Sequence, residues 1–295
     1  MFKGCFTAIV TPFKNNRVDT DALTNFIRFQ IKSGIAGIVP CGSTGEAATL
    51  TYEEHYRVIN ISLEAANAKI PVIAGTGSNS TAETITLTKY AERAGADAAL
   101  LSTPYYNKPT QRGLYEHYKA VAEAVTIPLI LYNVPGRTGV NMLPETVARL
   151  SELKNIVGIK EATGNLEQIS NVIEFSKKDF IVLSGDDATT LPLLSIGGHG
   201  TISVTSNVAP GDMVALCSLF CRGKMAEARK LHYKLQQLNR VMFIETNPVP
   251  VKTALALMGL MGPELRLPLV GLEDGNLKKL KAALKAYGLL KGRAR

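Results

Sequence analysis

The sequence predicts an α/β protein, a (β/α)8 TIM barrel with a C-terminal helical appendix. Two observations carry this. Eight short runs rich in Val, Ile, Leu and Ala alternate with amphipathic helical patterns, and two local phrases recur between them. Alternation of this kind gives a parallel sheet, and eight units suit a closed barrel. Most of the runs are apolar on both faces, as strands covered on both sides read. A doubly wound open sheet is the competing architecture. No Gly-x-Gly-x-x-Gly follows the first run, which counts against it.

In chain order, the first strand is expected at 6–10. A helix at 19–33 follows, with Leu23, Phe26, Ile27 and Ile31 on one face. Strand two is expected at 35–40. The helix at 51–66 opens with Thr51-Tyr-Glu-Glu54, a capping-box pattern. Strand three (71–75) precedes a helix at 80–94, strand four (98–103) a helix at 110–124, and strand five (128–132) a helix at 143–150. Strands six, seven and eight are expected at 156–161, 180–184 and 201–205. One recurring phrase is a glycine stop between helix and strand, Ser33-Gly-Ile-Ala-Gly-Ile38 and Ala94-Gly-Ala-Asp-Ala-Ala99. The other is a proline opening a strand whose first N–H is not needed, Ile70-Pro-Val-Ile73 and Ile127-Pro-Leu-Ile130. Past about residue 208 the strands stop, and 212–221, 224–243, 249–258 and 276–289 read as helices. The catalytic barrel is assigned to 1–224, and a helical region packed on it to 225–295.

Composition narrows the function classes. The chain has 295 residues, 46% hydrophobic and 20% charged, enough for a sizeable core. No apolar run approaches the roughly 18 residues that cross a bilayer. The N-terminus reads as a first strand and not as a signal peptide, so a cytoplasmic enzyme is expected, without membrane partners. Cys5, Cys41, Cys217 and Cys221 form no Cys-x-x-Cys pair, and His55, His117, His199 and His232 are scattered. Neither a disulfide framework nor a metal site is expected. The net charge is +8, partly from Lys278-Lys279-Leu-Lys281 and Lys291-Gly-Arg293-Ala-Arg295. No basic run is interleaved with aromatics, so a solvated basic end is read there and not a nucleic-acid partner.

In a barrel of this kind the chemistry sits just past the strands. In Asn155-Ile-Val-Gly-Ile-Lys160-Glu-Ala-Thr163, a single lysine ends an apolar strand. Stripping water from an ammonium is costly, and attack on a ketone needs a positioned, neutral amine. The plainer alternative is a lysine that snorkels to water. After strand two, Gly42-Ser43-Thr44-Gly45-Glu46 sets hydroxyls and free N–H groups before a helix, which suits a carboxylate; an ordinary glycine turn reads the same way. After strand four comes Tyr105-Tyr106, and after strand five Tyr132-Asn-Val-Pro-Gly-Arg137-Thr-Gly139. A held tyrosine can move protons, and an arginine can clamp a carboxylate. Singly, each also reads as a rim or surface residue. Their convergence at one end of successive strands favours catalysis over a structural barrel.

Together these residues resemble the pyruvate-dependent Schiff-base aldolases, and among them the dihydrodipicolinate synthase family. The resemblance spans Ala8-Ile-Val-Thr-Pro12, Gly42-Ser-Thr-Gly-Glu46, Tyr132–Gly139, Gly158-Ile-Lys-Glu-Ala-Thr-Gly164, Leu183-Ser-Gly-Asp-Asp187 and Asn247-Pro-Val-Pro-Val-Lys252. It implies that Lys160 forms the Schiff base with pyruvate. Thr44 and Tyr132 match two members of a proton relay, and Tyr106 the third, supplied by a neighbouring subunit. Arg137 matches the residue that holds L-aspartate 4-semialdehyde, while Ser43, Thr44, Gly185 and Ile202 match substrate-pocket positions. No dissociable cofactor is implied, and the implied assembly is a homotetramer. Many members have threonine at Ser43, and Gly-Ser-Thr-Gly-Glu also occurs in N-acetylneuraminate lyases. That lyase, or a 2-keto-3-deoxy sugar-acid aldolase, is the second reading. A small-molecule sensor on an inactive barrel is the reading from another class. Members often carry an allosteric lysine site; here Ala48, Tyr52, His55, Asn79, Glu83 and Tyr105 match it. Tyr52 stands where some inhibited relatives have histidine, and L-lysine is the implied effector.

Overall fold

The computed structural model describes residues 2–290. The basic end Lys291-Gly-Arg293-Ala-Arg295 lies outside the described residues. Eight parallel strands form one sheet: β1 (Gly4–Ala8), β2 (Gly37–Val39), β3 (Ile73–Gly75), β4 (Ala98–Ser102), β5 (Leu129–Asn133), β6 (Ile156–Glu161), β7 (Ile181–Ser184) and β8 (Gly200–Ser203). β1 pairs with β2, each strand from β3 to β7 pairs with the next in sequence, and β8 pairs with β1 through Phe6↔Ile202. The bridge Ile38↔Val72 closes the ring between β2 and β3. The (β/α)8 architecture is as expected. The first strand begins two residues earlier than the apolar run suggests, because Gly4 already pairs with Gly200.

Helices follow the strands: α1 (Thr20–Lys32), α2 (Tyr52–Ala66), α3 (Thr81–Ala94), α4 (Gln111–Ala124), α5 (Pro144–Ser151), α6 (Leu166–Phe175), α7 (Thr190–Ser195) and α8 (Pro210–Cys221). Caps set their starts. Asp19, Ser80 and Thr110 accept first-turn N–H groups, and Thr51 with Glu54 completes the expected capping box. α6 and α7 are additions to the sequence reading. So is a hairpin, Phe13–Lys14 with Arg17–Val18, turned by Asn15 and Asn16 at φ 53° and 57°. α8, the first of the four helices expected past residue 208, packs on β1 and completes the eighth strand–helix unit.

Three helices remain: α9 (Met225–Val241), α10 (Val249–Leu257) and α11 (Asp274–Tyr287). Leu235, Leu238, Val251, Leu255 and Leu284 from these helices share one buried cluster with Ile9, Leu23, Phe26 and Ile59 of the barrel shell. A separate cluster fills the barrel interior, with Phe6, Val39, Ile73, Leu100, Ile130, Leu183 and Ile202. Strand alternation turns every second residue inward. Tyr132 pairs with Lys160, and Lys160 with Leu183, so these side chains share one level of the interior.

Candidate active site

The strand register brings Lys160 and Tyr132 together. Lys160 is 5% exposed, and its Nζ lies 4.2 Å from the centre of the Tyr132 ring. Among the described residues no carboxylate forms an ion pair with it. The aromatic face is its electrostatic partner. The next residue, Glu161, points the other way. Its carboxylate accepts from the Asn133 amide, the Thr163 N–H and the Gln168 amide on the outer side of the strands. Burial pushes that carboxyl above its ordinary range. Alternation therefore separates the amine from the adjacent acid.

Gly185, just past β7, leaves room for the Lys160 stem. A Cβ there would sit 3.0 Å from Lys160 Cε, 3.1 Å from Cγ and 2.6 Å from the Ala162 Cβ. Ile202 is fully buried on the interior face of β8, in the same cluster as Tyr132.

The Gly42–Glu46 loop brings the hydroxyls. Non-glycine residues at positive φ bracket it, Cys41 at 55° and Glu46 at 54°, a conformation that costs energy and persists only where the surroundings impose it. Glu46 supplies much of that constraint. Its Oε1 accepts from Lys252 Nζ at 2.6 Å, and both side chains are buried. Burial pulls the Lys252 amine below its ordinary value, against the Glu46 carboxylate, which holds the proton on. Two cations lie over the Phe13 ring, Lys252 Nζ and the Arg266 guanidinium, each 4.3 Å from its centre. Arg266 also pairs with Glu54 through two nitrogens and donates to the Thr49 carbonyl.

Thr44 is buried, and its Oγ1 accepts from Asn247 Nδ2 at 2.9 Å. Among the described residues no hydrogen bond joins Thr44 to Tyr132 or Tyr106. Arg137 lies in the helical turn Pro135–Thr138 after β5, and its Nη2 donates to the Asn247 carbonyl at 2.8 Å. Asn247 therefore holds both residues, and it comes from the segment between α9 and α10. The motif containing Asn247 and Lys252 is visible in the sequence. Their contacts are not, because more than 200 residues separate each from its partner.

A cavity of about 440 Å³ opens over these groups, lined by Ser43, Tyr132, Arg137 and Asn247. It continues past Ala48, Tyr52, His55, Glu83 and Tyr105. Lys160, Thr44, Gly185 and Ile202 are not among its lining residues. Asn79, grouped with the effector residues by sequence, does not line it either; its carbonyl accepts from Asn107. His55 Nε2 lies 2.8 Å from the Gly75 carbonyl, and burial lowers the imidazole pKa. Glu83 accepts from Ser78, and partial burial with the nearby Glu83 charge raises the Tyr52 phenol. Tyr106 stands apart, 89% exposed and at φ 72°. Among the described residues no group of three or more His, Cys, Asp and Glu is placed to hold a metal ion, and no helix is long and apolar enough to cross a membrane.

The dihydrodipicolinate synthetase family model matches residues 1–287. A 4-hydroxy-tetrahydrodipicolinate synthase of Thermodesulfovibrio yellowstonii is 60% identical over 99% of this chain and 100% of its own. The chloride-inhibited dihydrodipicolinate synthase of Acinetobacter baumannii, solved with pyruvate, superposes with a TM-score of 0.96 at 49% identity, covering 98% of this chain and 100% of that one. The DHDPS of Cyanidioschyzon merolae, solved with lysine bound, gives 0.95 at 42% identity over 98% and 99%. By model, sequence and fold, the chain belongs to the dihydrodipicolinate synthetase family.

Proposed function

We propose that this protein condenses pyruvate with L-aspartate 4-semialdehyde to give 4-hydroxy-tetrahydrodipicolinate, the cyclic precursor of diaminopimelate and lysine. The observation that carries the reading is a buried lysine that has no carboxylate partner among the described residues and is set against a tyrosine ring that, like Arg137, lines the cavity. The Lys160 amine attacks the pyruvate ketone, and the carbinolamine loses water to give an imine. The imine draws electrons from the methyl group, which releases a proton and leaves an enamine. The enamine carbon bonds to the semialdehyde carbon, and the aldehyde oxygen takes up a proton. The substrate's own amine then displaces Lys160 and closes the ring. Tyr132 and Thr44 move the protons, with Tyr106 of a second copy. Arg137 uses one nitrogen on the Asn247 carbonyl and offers the rest of its fork to the semialdehyde carboxylate. Ser43 and Thr44 serve the pyruvate carboxylate, and Gly185 and Ile202 shape the pocket around it. No dissociable cofactor takes part.

Arg137 and the synthases among the relatives favour this reading over the lyase or sugar-acid aldolase. Borohydride trapping of pyruvate tests it: the adduct should form on Lys160 and vanish in Lys160→Ala. The condensation assay with both substrates should show turnover, whereas a sensor would trap nothing. Trapping at another lysine would overturn the assignment.

The protein acts in the cytoplasm as a homotetramer, and L-lysine is its effector. The lysine reading is supported by the continuous cavity lined by Ala48, Tyr52, His55, Glu83 and Tyr105. Glu83 offers a carboxylate to an ammonium, and Tyr105 a hydroxyl to a carboxylate.

A further inference from the structure

We infer that Asn247 is a positioning residue that sets the direction of the proton on Thr44. The inference rests on the condensation reading above and deepens it. A threonine hydroxyl has one proton and can accept as well as donate. Asn247 Nδ2 can only donate, and it points at Thr44 Oγ1 from 2.9 Å. The Thr44 oxygen is therefore the acceptor in this bond, and its own O–H turns elsewhere. No acceptor is recorded for that O–H among the described residues. The amide thus leaves the hydroxyl's single proton free for another acceptor, in a site where Tyr132 lines the cavity.

Two features distinguish this from ordinary packing. The other end of the amide, Asn247 Oδ1, is buried and has no hydrogen-bond partner among the described residues. Buried side-chain oxygens normally find one, so the side chain is placed for its bond to Thr44 and not for its own satisfaction. The residue also serves two site groups through different atoms. Its side chain reaches Thr44, while its backbone carbonyl accepts from Arg137 Nη2 at 2.8 Å. A side-chain substitution leaves the carbonyl in place. The two roles therefore separate experimentally, one into proton transfer and the other into binding of the second substrate.

Asn247→Asp replaces the donor with an acceptor of similar shape. The carboxylate would take the Thr44 proton for itself and reverse the bond. Asn247→Ala removes the bond without burying a charge, and serves if the aspartate variant does not fold. Four readouts are compared with the parent protein: borohydride trapping of pyruvate, exchange of the pyruvate methyl protons with deuterated water, kcat, and the KM for aspartate semialdehyde. Both variants should trap pyruvate normally and keep the semialdehyde KM within about twofold. Methyl exchange and kcat should fall by about tenfold or more, further for aspartate, as for loss of a group that acts in proton transfer. Full exchange in either folded variant would overturn the inference, as would a loss of trapping, exchange and substrate affinity in parallel. Absence of trapping in the parent protein would instead sink the condensation reading.

Discussion

An amine buried without a counter-ion costs free energy unless something replaces its water. Lys160 has the Tyr132 ring at 4.2 Å and a space that Gly185 leaves open. Gly185→Ala would place a methyl 2.6 Å from the Ala162 Cβ and 3.0 Å from Lys160 Cε. The strain of such overpacking is about 1–3 kcal/mol, and part of it would fall on the Lys160 stem. Imine trapping in single-turnover experiments should slow several-fold while the far-UV spectrum is kept; an unchanged rate would show that Gly185 is not needed to seat the lysine. His117 gives a second residue-scale prediction. It is buried, among the described residues only its Nδ1 is bonded, to Thr81, and burial lowers its pKa to about 4 from 6.5. Between those values the unfolded chain binds a proton that the folded one refuses. Stability is thus complete above pH 6.5 and is lost as pH falls toward 4, by up to about 3 kcal/mol. His117→Gln, which keeps a partner for Thr81, should flatten that part of the Tm-against-pH curve; an unaltered slope would assign it to other groups. At this scale Lys160, Tyr132, Thr44 and Arg137 were legible in the sequence because each follows or ends a strand. Asn247 was not, since its meaning depends on a contact 203 residues away.

The eight strands were legible because a covered parallel strand is an unbroken apolar run, and such runs are hard to mistake when they recur. The misses have local causes. α6 carries Leu166 and Phe175 exposed at its ends, which blurs its apolar face. α7 is a six-residue helix with Pro192 in its first turn, where the missing N–H does no harm but the residue reads as a breaker. The hairpin strands have two residues each, too short for any periodicity. Between elements, the buried Glu46–Lys252 pair fixes the Thr44 loop to α10 at 2.6 Å. Lys252→Met would leave Glu46 charged and unpaired in the interior, a loss of about 3–5 kcal/mol. Glu46→Gln combined with Lys252→Met should recover a substantial part of that loss, because two neutral groups replace one stranded charge. Denaturant melts of the single and double variants measure it, and additive losses would show that the two side chains are not coupled.

For the whole molecule, the helical region is part of the site. Its apolar residues share a core cluster with the barrel shell, and it supplies Asn247 to Thr44 and Lys252 to Glu46. Unfolding should therefore be one event and not a barrel melt followed by a helical one. Tyr106 belongs to this scale too. It sits at the C-terminal end of the barrel beside Tyr105, 89% exposed, and with its backbone in the left-handed region. An exposed aromatic held in a costly conformation reads as one awaiting cover, and a second copy that inserts it would complete the proton relay. The chemistry then depends on assembly in a particular way. Lys160 and its pocket are intrinsic to one chain, so pyruvate should still be trapped when the protein is diluted until it dissociates. If turnover uses the proposed relay, it should fall with the fraction assembled. Tyr106→Phe should lower kcat at every concentration and leave assembly intact, because the ring stays and only the hydroxyl goes. Sedimentation velocity run beside the condensation assay checks both statements. A dissociated chain with full specific activity, or a phenylalanine variant that turns over normally, would place the relay within a single protomer.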